Sequence, residues 1–379
     1  MRRYVVILIL LFPMFTFAQA KLTFQKADSL SYLYFLKGDW KNLIQVTKVA
    51  FKQDIDTKFM RQRAGYAYFM TGDYYAAKKQ YEKALSFDRA DNTTREYLYF
   101  SNLNAGAINS RYYAGNLSFD SATKLGIQQF NPVESFDTEF NLKTNQETTR
   151  SSQFYYRAGI NTELGYRVSL YQAYSYYEQY ISNVLTLQPE YLAILKITLA
   201  PTWLAKASYH RLFTSVGNIS YPANLGYIAI SSQVNRFNLE ANASVLKSSQ
   251  SLTKQAGFQT GIVFPGKSNI YFTTAVTGMI ENSAYRTIFA ETFGLNCLRN
   301  VWAEGNITLG NLKNYNSINS LYVYNSSDPS IFRTGLTLLW FKGKHLVITG
   351  NFTFNQQQNN TTNKNYYQYS YSGGIKWKL

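Results

Sequence analysis

From about residue 135 onward, apolar and polar residues alternate with a period of two, which is the pattern of β-strands with one apolar and one polar face. The clearest case is the final stretch, YYQYSYSGGIKWKL. The odd-numbered positions carry the apolar and aromatic side chains of Tyr367, Tyr369, Tyr371, Ile375, Trp377 and Leu379. The even-numbered positions carry the polar side chains of Gln368, Ser370, Ser372, Lys376 and Lys378. Tyr and Trp rings have an apolar body and a polar tip, so they suit the interface between lipid and water. This strand is therefore expected to face a membrane.

The same alternation recurs in segments of about 10 to 13 residues, which is the length that a tilted membrane strand needs. Examples are YLAILKITL, RFNLEANASVL, NIYFTTAVTGMI and LVITGNFTF. Six short turns alternate with seven long polar loops, which predicts fourteen strands. We treat LYVYN, from residue 321, as part of a long loop, because a further strand would make the number odd. The prediction is an antiparallel transmembrane β-barrel of about 14 strands, with 12 or 16 as alternatives.

A soluble β-sandwich is the competing fold for this region. It predicts drier inner faces, fewer aromatic residues and no regular alternation of short and long connections. The chain instead contains 33 Tyr residues and is 17% aromatic, with a negative mean hydropathy. These features favour the barrel, whose inner face is polar.

The first twenty residues are expected to be a secretory signal peptide. Arg2 and Arg3 precede the apolar run YVVILILLFPMFTF, and AQA follows as a small-x-small cleavage site. The alternative is a membrane anchor, but an apolar run of about 14 residues is shorter than the roughly 20 that a helix needs to span. Export argues against nucleic acid as a partner, although the formal net charge is +16.

Catalysis, metal binding and cofactors are not expected. Cys297 is the only cysteine, which excludes an intramolecular disulfide and a cysteine-based zinc site. The only histidines, His210 and His345, are too few for a His-rich metal site, and neither accompanies a nucleophile motif such as G-x-S-x-G. The chain is therefore predicted not to be an enzyme.

The region from 21 to 130 is predicted to be helical and repetitive. GDWKNL begins at Gly38 and GDYYAA begins at Gly72, and this spacing of 34 residues is the tetratricopeptide period. The second copy fits the consensus of small and aromatic positions, although Arg89 replaces the usual proline. Its matching residues are Gly65, Tyr68, Gly72, Tyr74, Ala77, Tyr81 and Ala84. A third, degenerate unit is expected around Gly106, and the predicted domains are 1–20, 21–130 and 131–379.

The polar face of the strands supplies the candidate pore-lining residues. They are Lys196, Lys206, His210, Arg236, Glu240 and Glu304. Positive charge predominates among them, so a conducting lumen is expected to prefer anions mildly. Lys376 and Lys378 share this face. They either line the pore or only solvate the end of the strand. Inward Tyr271 and Trp302 favour a partly filled lumen.

A signal peptide, a tetratricopeptide stack and a barrel, in this order, resemble the tetratricopeptide-containing outer-membrane porins of bacterial exopolysaccharide secretion and the smaller barrels related to them. The Asn- and Tyr-rich strands also resemble outer-membrane proteins of Bacteroidetes. The resemblance implies a place in the outer membrane of a Gram-negative bacterium, with the helical repeats docking a periplasmic protein partner. It also implies transport or export, with an anionic solute or a polysaccharide as the cargo. The alternative is a non-conducting anchor whose repeats recruit envelope or secretion proteins.

Overall fold

The computed structural model describes residues 22–105, residues 132–379 with short gaps, and a few isolated positions between these two ranges. The gaps are 148, 166, 265–267, 299, 318–319, 326–327 and 344. The predicted signal peptide and Gly106 lie outside the described residues. Helices fill the first range, and strands fill the second.

Five helices form the first region, and they repeat with the predicted period. Their bounds are α1 Phe24–Lys37, α2 Trp40–Lys52, α3 Lys58–Met70, α4 Tyr74–Phe87 and α5 Asn92–Asn104. Helices α1, α3 and α5 each begin 34 residues after the previous one, and so do α2 and α4. Each helix begins after a Thr or Asp whose side chain accepts a hydrogen bond from a backbone N–H of the first turn. The period found in the sequence is therefore a structural repeat.

The predicted tetratricopeptide residues pack α3 against α4. A Cβ atom on Gly65 would lie 2.8 Å from the ring of Tyr81, so only glycine lets the two helices approach this closely. Gly72 has a φ of 81° in the turn between the helices, a conformation that favours glycine. The side chains of Ala77, Tyr81 and Ala84 are buried. Of the helices that the structure describes, none is long and apolar enough to cross a lipid bilayer.

The second region is a closed barrel of 14 antiparallel strands, which confirms the predicted fold and number. Sequence neighbours pair throughout, β11 pairs with β14, and β1 closes the barrel by pairing with β16. The bounds are β1 Val133–Asn145, β2 Gln153–Gly165, β3 Val168–Ile181, β4 Val184–Ala200, β5 Trp203–Val216, β6 Ile219–Val234, β7 Phe237–Ser248, β8 Leu252–Phe264, β9 Ile270–Glu281, β10 Ala284–Leu298, β11 Val301–Leu309, β12 Tyr315–Asn316, β13 Val323–Tyr324, β14 Ser330–Lys342, β15 Leu346–Gln358 and β16 Asn365–Lys378. The short strands β12 and β13 pair only with each other, so the segment around residue 321 is not a barrel strand.

Connections of two kinds mark the two ends of the barrel. The turn end carries the start of β1 and the turns at 201–202 and 235–236, and the loop end carries the connections 146–152, 310–329 and 359–364. Three connections that we predicted to be long are two-residue turns, at 182–183, 217–218 and 282–283. Ser182 and Asn183 both have positive φ, which fits a hairpin turn whose twist matches that of its strands. The strands therefore run further toward the loop end than the sequence suggested.

The outer face of the barrel is apolar, with aromatic rings concentrated toward both ends. Those at the turn end are Trp203, Phe237, Phe264, Trp340 and Trp377, and those at the loop end are Phe154, Tyr180, Phe213, Tyr285 and Tyr367. Aliphatic residues such as Ile228, Val276 and Leu336 are exposed between them. In β16 the predicted apolar parity faces outward, since Tyr371 and Ile375 are exposed and Ser370 is buried. This is the exterior expected of a transmembrane barrel.

Candidate functional site in the barrel interior

The connection between β11 and β14 folds into the barrel instead of extending into solvent. We call its described residues, 310–317, 320–325 and 328–329, the inner loop; it contains the β12–β13 hairpin, in which Tyr315 pairs with Tyr324. Leu312, Tyr315 and Asn316 are buried. Because this loop contacts inward-facing residues of strands on the opposite side of the barrel, it crosses the lumen.

Apolar side chains on the wall hold one side of the inner loop. Val323 packs on a buried cluster of the wall, Leu321 packs on a second, and Leu312 and Tyr315 join a third. The wall residues of these clusters are Ala173, Leu192, Ile194, Leu212, Ala223, Leu225, Leu246, Met279 and Ile288. They all lie on β3–β10, and we call the inward faces of these strands the apolar arc. Burying such side chains stabilises the inner loop in its place, since each contributes about 1.5–3 kcal/mol when fully buried.

Hydrogen bonds fix the inner loop in register with the wall. The side chain of Gln255 donates to the carbonyl oxygen of Asn316 at 2.7 Å and accepts from its backbone N–H at 3.1 Å. On the far side, the Tyr322 hydroxyl donates to Glu139 at 2.5 Å. Arg150 forms a buried ion pair with Asp328 at 2.6 Å, where the loop returns to β14. The inner loop is thus fixed at points on β1, on β8 and near β2.

His210 connects the inner loop to a buried carboxylate of the wall. Its Nδ1 atom lies 2.9 Å from the carbonyl oxygen of Ser320, and its Nε2 atom lies 3.2 Å from Glu190 Oε2. Glu190 also accepts hydrogen bonds from the Ser175 hydroxyl at 2.9 Å and from the Gln188 amide at 2.5 Å. The imidazole ring therefore lies between the inner loop and β4, with one nitrogen next to each.

A cavity of 1240 Å³ remains between the inner loop and the opposite wall. It extends from Gln250 and Asn360 at the loop end to Lys376, near the turn end. The inward faces of β14, β15, β16 and β1, which we call the polar arc, form one side of its wall, and residues of β2–β4 such as Arg157, Gln188 and Lys196 also line it. Its lining residues include Thr337, Thr349, Asn351, Asn355, Gln357, Gln368, Ser370 and Ser372. Hydroxyl and amide groups of this kind keep water in the space beside the inner loop.

Basic side chains outnumber acidic ones around this cavity. The seven basic residues are Lys143, Arg150, Arg157, Lys196, Lys313, Arg333 and Lys376, and the four acidic ones are Asp137, Glu139, Glu190 and Glu281. Some of these charges pair, since Arg157 lies 2.7 Å from Glu139. The remaining potential is positive, which favours anions in the cavity.

The predicted pore residues have different surroundings. Lys196 lines the cavity. Lys206 and Glu240 face inward but form an ion pair at 2.7 Å, and Glu240 also accepts from Tyr227 and Ser231. His210 is 1% exposed and holds the inner loop. Glu304 accepts a hydrogen bond from Tyr271, whose ring lies 6.1 Å from that of Trp302, so this group fills part of the interior as expected.

Arg236 does not face the lumen. It lies in the turn between β6 and β7, where its guanidinium is 3.2 Å from Asp73 of the helical domain. The alternation of the following strand suggested an inward position, but this strand begins one residue later, at Phe237. A turn residue is free of the strand parity, which is why the sequence placed this side chain wrongly.

The same end of the barrel contacts the helical domain through α4. Gln233 of β6 donates to the Tyr75 hydroxyl at 3.4 Å, close to the pair between Asp73 and Arg236. Burial raises the pKa of the Tyr75 hydroxyl, because the phenolate would lose its hydration. Helix α4 therefore joins the helical domain to the turn end.

Sequence reasoning missed the inner loop as a part of the lumen. A signal was present in the wall, since Leu212, Leu225 and Leu246 lie on the inward parity of their strands and break the apolar-out pattern. Inward apolar residues need a partner in a lumen that is otherwise wet. In the described part of the chain, no group of His, Cys, Asp and Glu side chains is arranged to hold a metal ion.

No known family profile matches the chain, and no curated protein matches it. Among solved structures, a bacterial polysaccharide outer membrane secretin is 6% identical with a TM-score of 0.44, over 65% of this chain and 99% of that chain. The toluene transporter TodX of Pseudomonas putida is 6% identical with a TM-score of 0.44, over 69% and 93%. The first TPR of Spaghetti, bound to an HSP90 peptide, is 15% identical with a TM-score of 0.24, over 27% and 91%. Similarity at this distance carries no functional argument.

Proposed function

We propose that this protein is a channel of the bacterial outer membrane and that its inner loop gates the lumen. The cavity between the inner loop and the polar arc is the observation that carries this proposal. An exterior of exposed apolar residues around a closed barrel supports insertion in a membrane. Such an exterior needs lipid, because an apolar surface of this extent would aggregate in water.

Transport of small hydrophilic solutes fits the cavity as it stands. The excess of basic residues around it supports a preference for anions. Export of a polysaccharide, the more specific form of this function, requires the inner loop to move, because that loop crosses the lumen. The carboxamide and hydroxyl side chains of the polar arc are suited to binding sugar hydroxyls along such a path.

The helical domain is proposed to lie in the periplasm and to dock a protein partner. Its contact with the turn end, through Asp73 and Tyr75, supports this orientation, since short turns face the periplasm in outer-membrane barrels. A stack of helical repeats offers an extended surface for another protein. The channel and its partner would thus meet at the mouth of the barrel.

A second candidate is a non-conducting anchor whose helical domain does the work. The tight packing of the inner loop on the apolar arc favours it, because buried leucines hold the loop across the lumen. In this function the barrel would serve only to fix the repeats at the membrane. The two candidates differ in one measurable property, which is conductance.

Single-channel recording of the refolded protein in a planar bilayer, with a salt gradient across it, tests the proposal. We expect steady openings and a reversal potential that indicates anion preference. Heat-modifiable gel mobility serves as the control, because it shows that the barrel is folded in the recorded sample. A folded barrel that never conducts, alone or after removal of the inner loop, would overturn the channel and leave the anchor.

A further inference from the structure

We infer that the cavity contains a binding site for an oxyanion on a hydroxyl-rich solute, and that Lys143, Arg333 and Asn355 form it. The inference deepens the proposed function by naming the solute class, and it rests on that function only for access to the lumen. Lys143 lies on β1, Arg333 on β14 and Asn355 on β15, and all three line the cavity.

The two cations have no carboxylate partner among the residues that the structure describes. Lys143 forms no ion pair there, and Arg333 donates only to the Tyr324 hydroxyl while its guanidinium lies 5.1 Å from the centre of that ring. Two other cavity cations are neutralised, Arg150 by Asp328 and Arg157 by Glu139. The inner loop therefore positions Arg333 without compensating its charge.

The strand registers bring the two cations to nearly the same height in the barrel. Lys143 pairs with Ser370 and Ser370 with Thr353, and Thr353 pairs with Gly335, two residues from Arg333. Like charges in a partly desolvated space raise the free energy of the protein, and a bound anion between them lowers it. Since Glu139 is already paired with Arg157 at 2.7 Å, the charge of Lys143 and Arg333 is a reason for an anion to bind near them.

Asn355 supplies the polar contact next to this charge. It is opposite Arg333 in the β14–β15 register and is 6% exposed. Its side chain makes no hydrogen bond to any residue that the structure describes, although a buried amide normally has a partner. Amide and hydroxyl groups of the polar arc continue from it along the cavity, for example Gln357 and Ser370. A carboxylate or phosphate next to hydroxyl groups would satisfy the cations and the amide together.

Titration calorimetry on the full refolded chain in detergent, at constant ionic strength, tests the site. The probes are gluconate, glucose 6-phosphate and sorbitol, which carry a carboxylate, a phosphate and no charge on similar polyol chains. We expect one or both anions to bind and sorbitol not to bind. The anion that binds with the higher affinity identifies the oxyanion that the site prefers.

Variants decide whether Lys143 and Arg333 are responsible. Lys143→Gln and Arg333→Gln should each weaken anion binding by roughly tenfold, as loss of a hydrogen bond to a charged group does. Arg333→Lys, which keeps the charge, should weaken it less. Lys254→Gln is the matched control, because it removes one positive charge from the outer face of β8. Each variant is first shown to be folded by its heat-modifiable mobility.

Equal binding of sorbitol, unchanged anion binding in the double variant K143Q/R333Q, or absence of binding by both anions would overturn the inference. The proposed channel is refuted separately, if the folded protein never conducts in the planar bilayer. A channel that conducts but binds neither anion would refute the site alone, and a silent barrel that binds gluconate would refute only the channel.

Discussion

The two arcs of the barrel wall face the same lumen, but the apolar arc carries the clusters of apolar side chains on which the inner loop packs, beside polar residues such as Glu190 and His210. On the apolar arc, buried residues such as Leu212, Leu225 and Met279 contact the inner loop directly. On the polar arc, Asn351, Asn355 and Ser370 line the cavity of 1240 Å³. Both arcs obey the same alternation along their strands, so the difference lies only in which residues take the inward parity.

This difference explains how the lumen can be packed with protein on one side and lined by polar groups on the other. Apolar side chains inside a barrel exclude water only if something packs on them, and here the inner loop does so. Polar side chains on the other arc hydrogen-bond one another, as Asn351 does with Thr337 and Ser370 with Asn141. The lumen is therefore asymmetric, with the apolar support of the inner loop on one side and hydrogen-bonded polar groups on the other.

The largest expected effect comes from removing what the apolar arc holds. Replacing residues 312–328 by a short Gly-Ser linker should raise single-channel conductance several-fold, because the cavity would then extend across the lumen. The barrel should stay folded, since the β11–β14 pairing lies outside the deleted segment. Replacing 361–363, the exposed tip of the connection between β15 and β16, is the control and should leave conductance unchanged, because these residues do not line the cavity. Equal conductance in both variants would contradict the division into two arcs.

Paired truncations compare the arcs directly. Leu225 and Thr353 are 0% and 1% exposed, so both are fully buried. Leu225→Ala should lower the free energy of unfolding by about 2–4 kcal/mol through a cavity under the inner loop. Thr353→Ala should lower it by about 1 kcal/mol, because it loses only the 2.9 Å hydrogen bond to Asn351. Urea unfolding from liposomes, followed by tryptophan fluorescence, measures both, and equal losses would argue against an inner loop held by apolar packing.

His210 gives a smaller effect that separates its two contacts. His210→Leu removes the bonds to Ser320 and Glu190, and it should favour displacement of the inner loop by about 1–3 kcal/mol. His210→Asn keeps a donor near the Ser320 carbonyl, so its effect should be intermediate. Open probability in single-channel recording reports the displacement. Glu178→Gln, on the outer face of β3, is the control. If His210→Leu and Glu178→Gln had the same open probability, His210 would not hold the inner loop in place.

The smallest effect should come from Arg236, which lies outside both arcs. Arg236→Gln should leave ion preference unchanged, because the residue contacts Asp73 and not the cavity. It should weaken the contact between the helical domain and the barrel by less than about 1 kcal/mol, as exposed ion pairs do. Lys196→Gln, within the cavity, should by contrast reduce anion preference. Reversal potentials in a salt gradient compare the ion preference of the two variants. A larger shift for Arg236→Gln than for Lys196→Gln would place Arg236 on the solute path.

The parts of the fold that repeat locally could be predicted from the sequence. The 34-residue period defines the positions of Gly65 and Tyr81, whose close contact joins α3 to α4. The period of two places Tyr371 on the outer face and Ser370 on the inner face of β16. These patterns follow from the geometry of a single element, so they need no knowledge of distant contacts.

The inner loop could not be predicted in the same way. Its sequence is rich in Asn, Ser and Tyr, which is typical of a solvent-exposed loop. Its place depends on contacts between residues far apart in the chain, such as Tyr322 with Glu139. The unpaired cations Lys143 and Arg333 were missed for a related reason, since the lack of a partner is visible only when all neighbouring strands are in position.

The pairing of β1 with β16 has a consequence for how the molecule forms. Ser135 pairs with Lys378, so the barrel has two unpaired edges until its final strand is in place. The strands of the apolar arc precede the inner loop in the chain, whereas β14, β15 and β16 follow it. In chain order, the apolar arc therefore precedes the inner loop, and three of the four strands of the polar arc follow it. Closure then seals a lumen whose contents are already arranged.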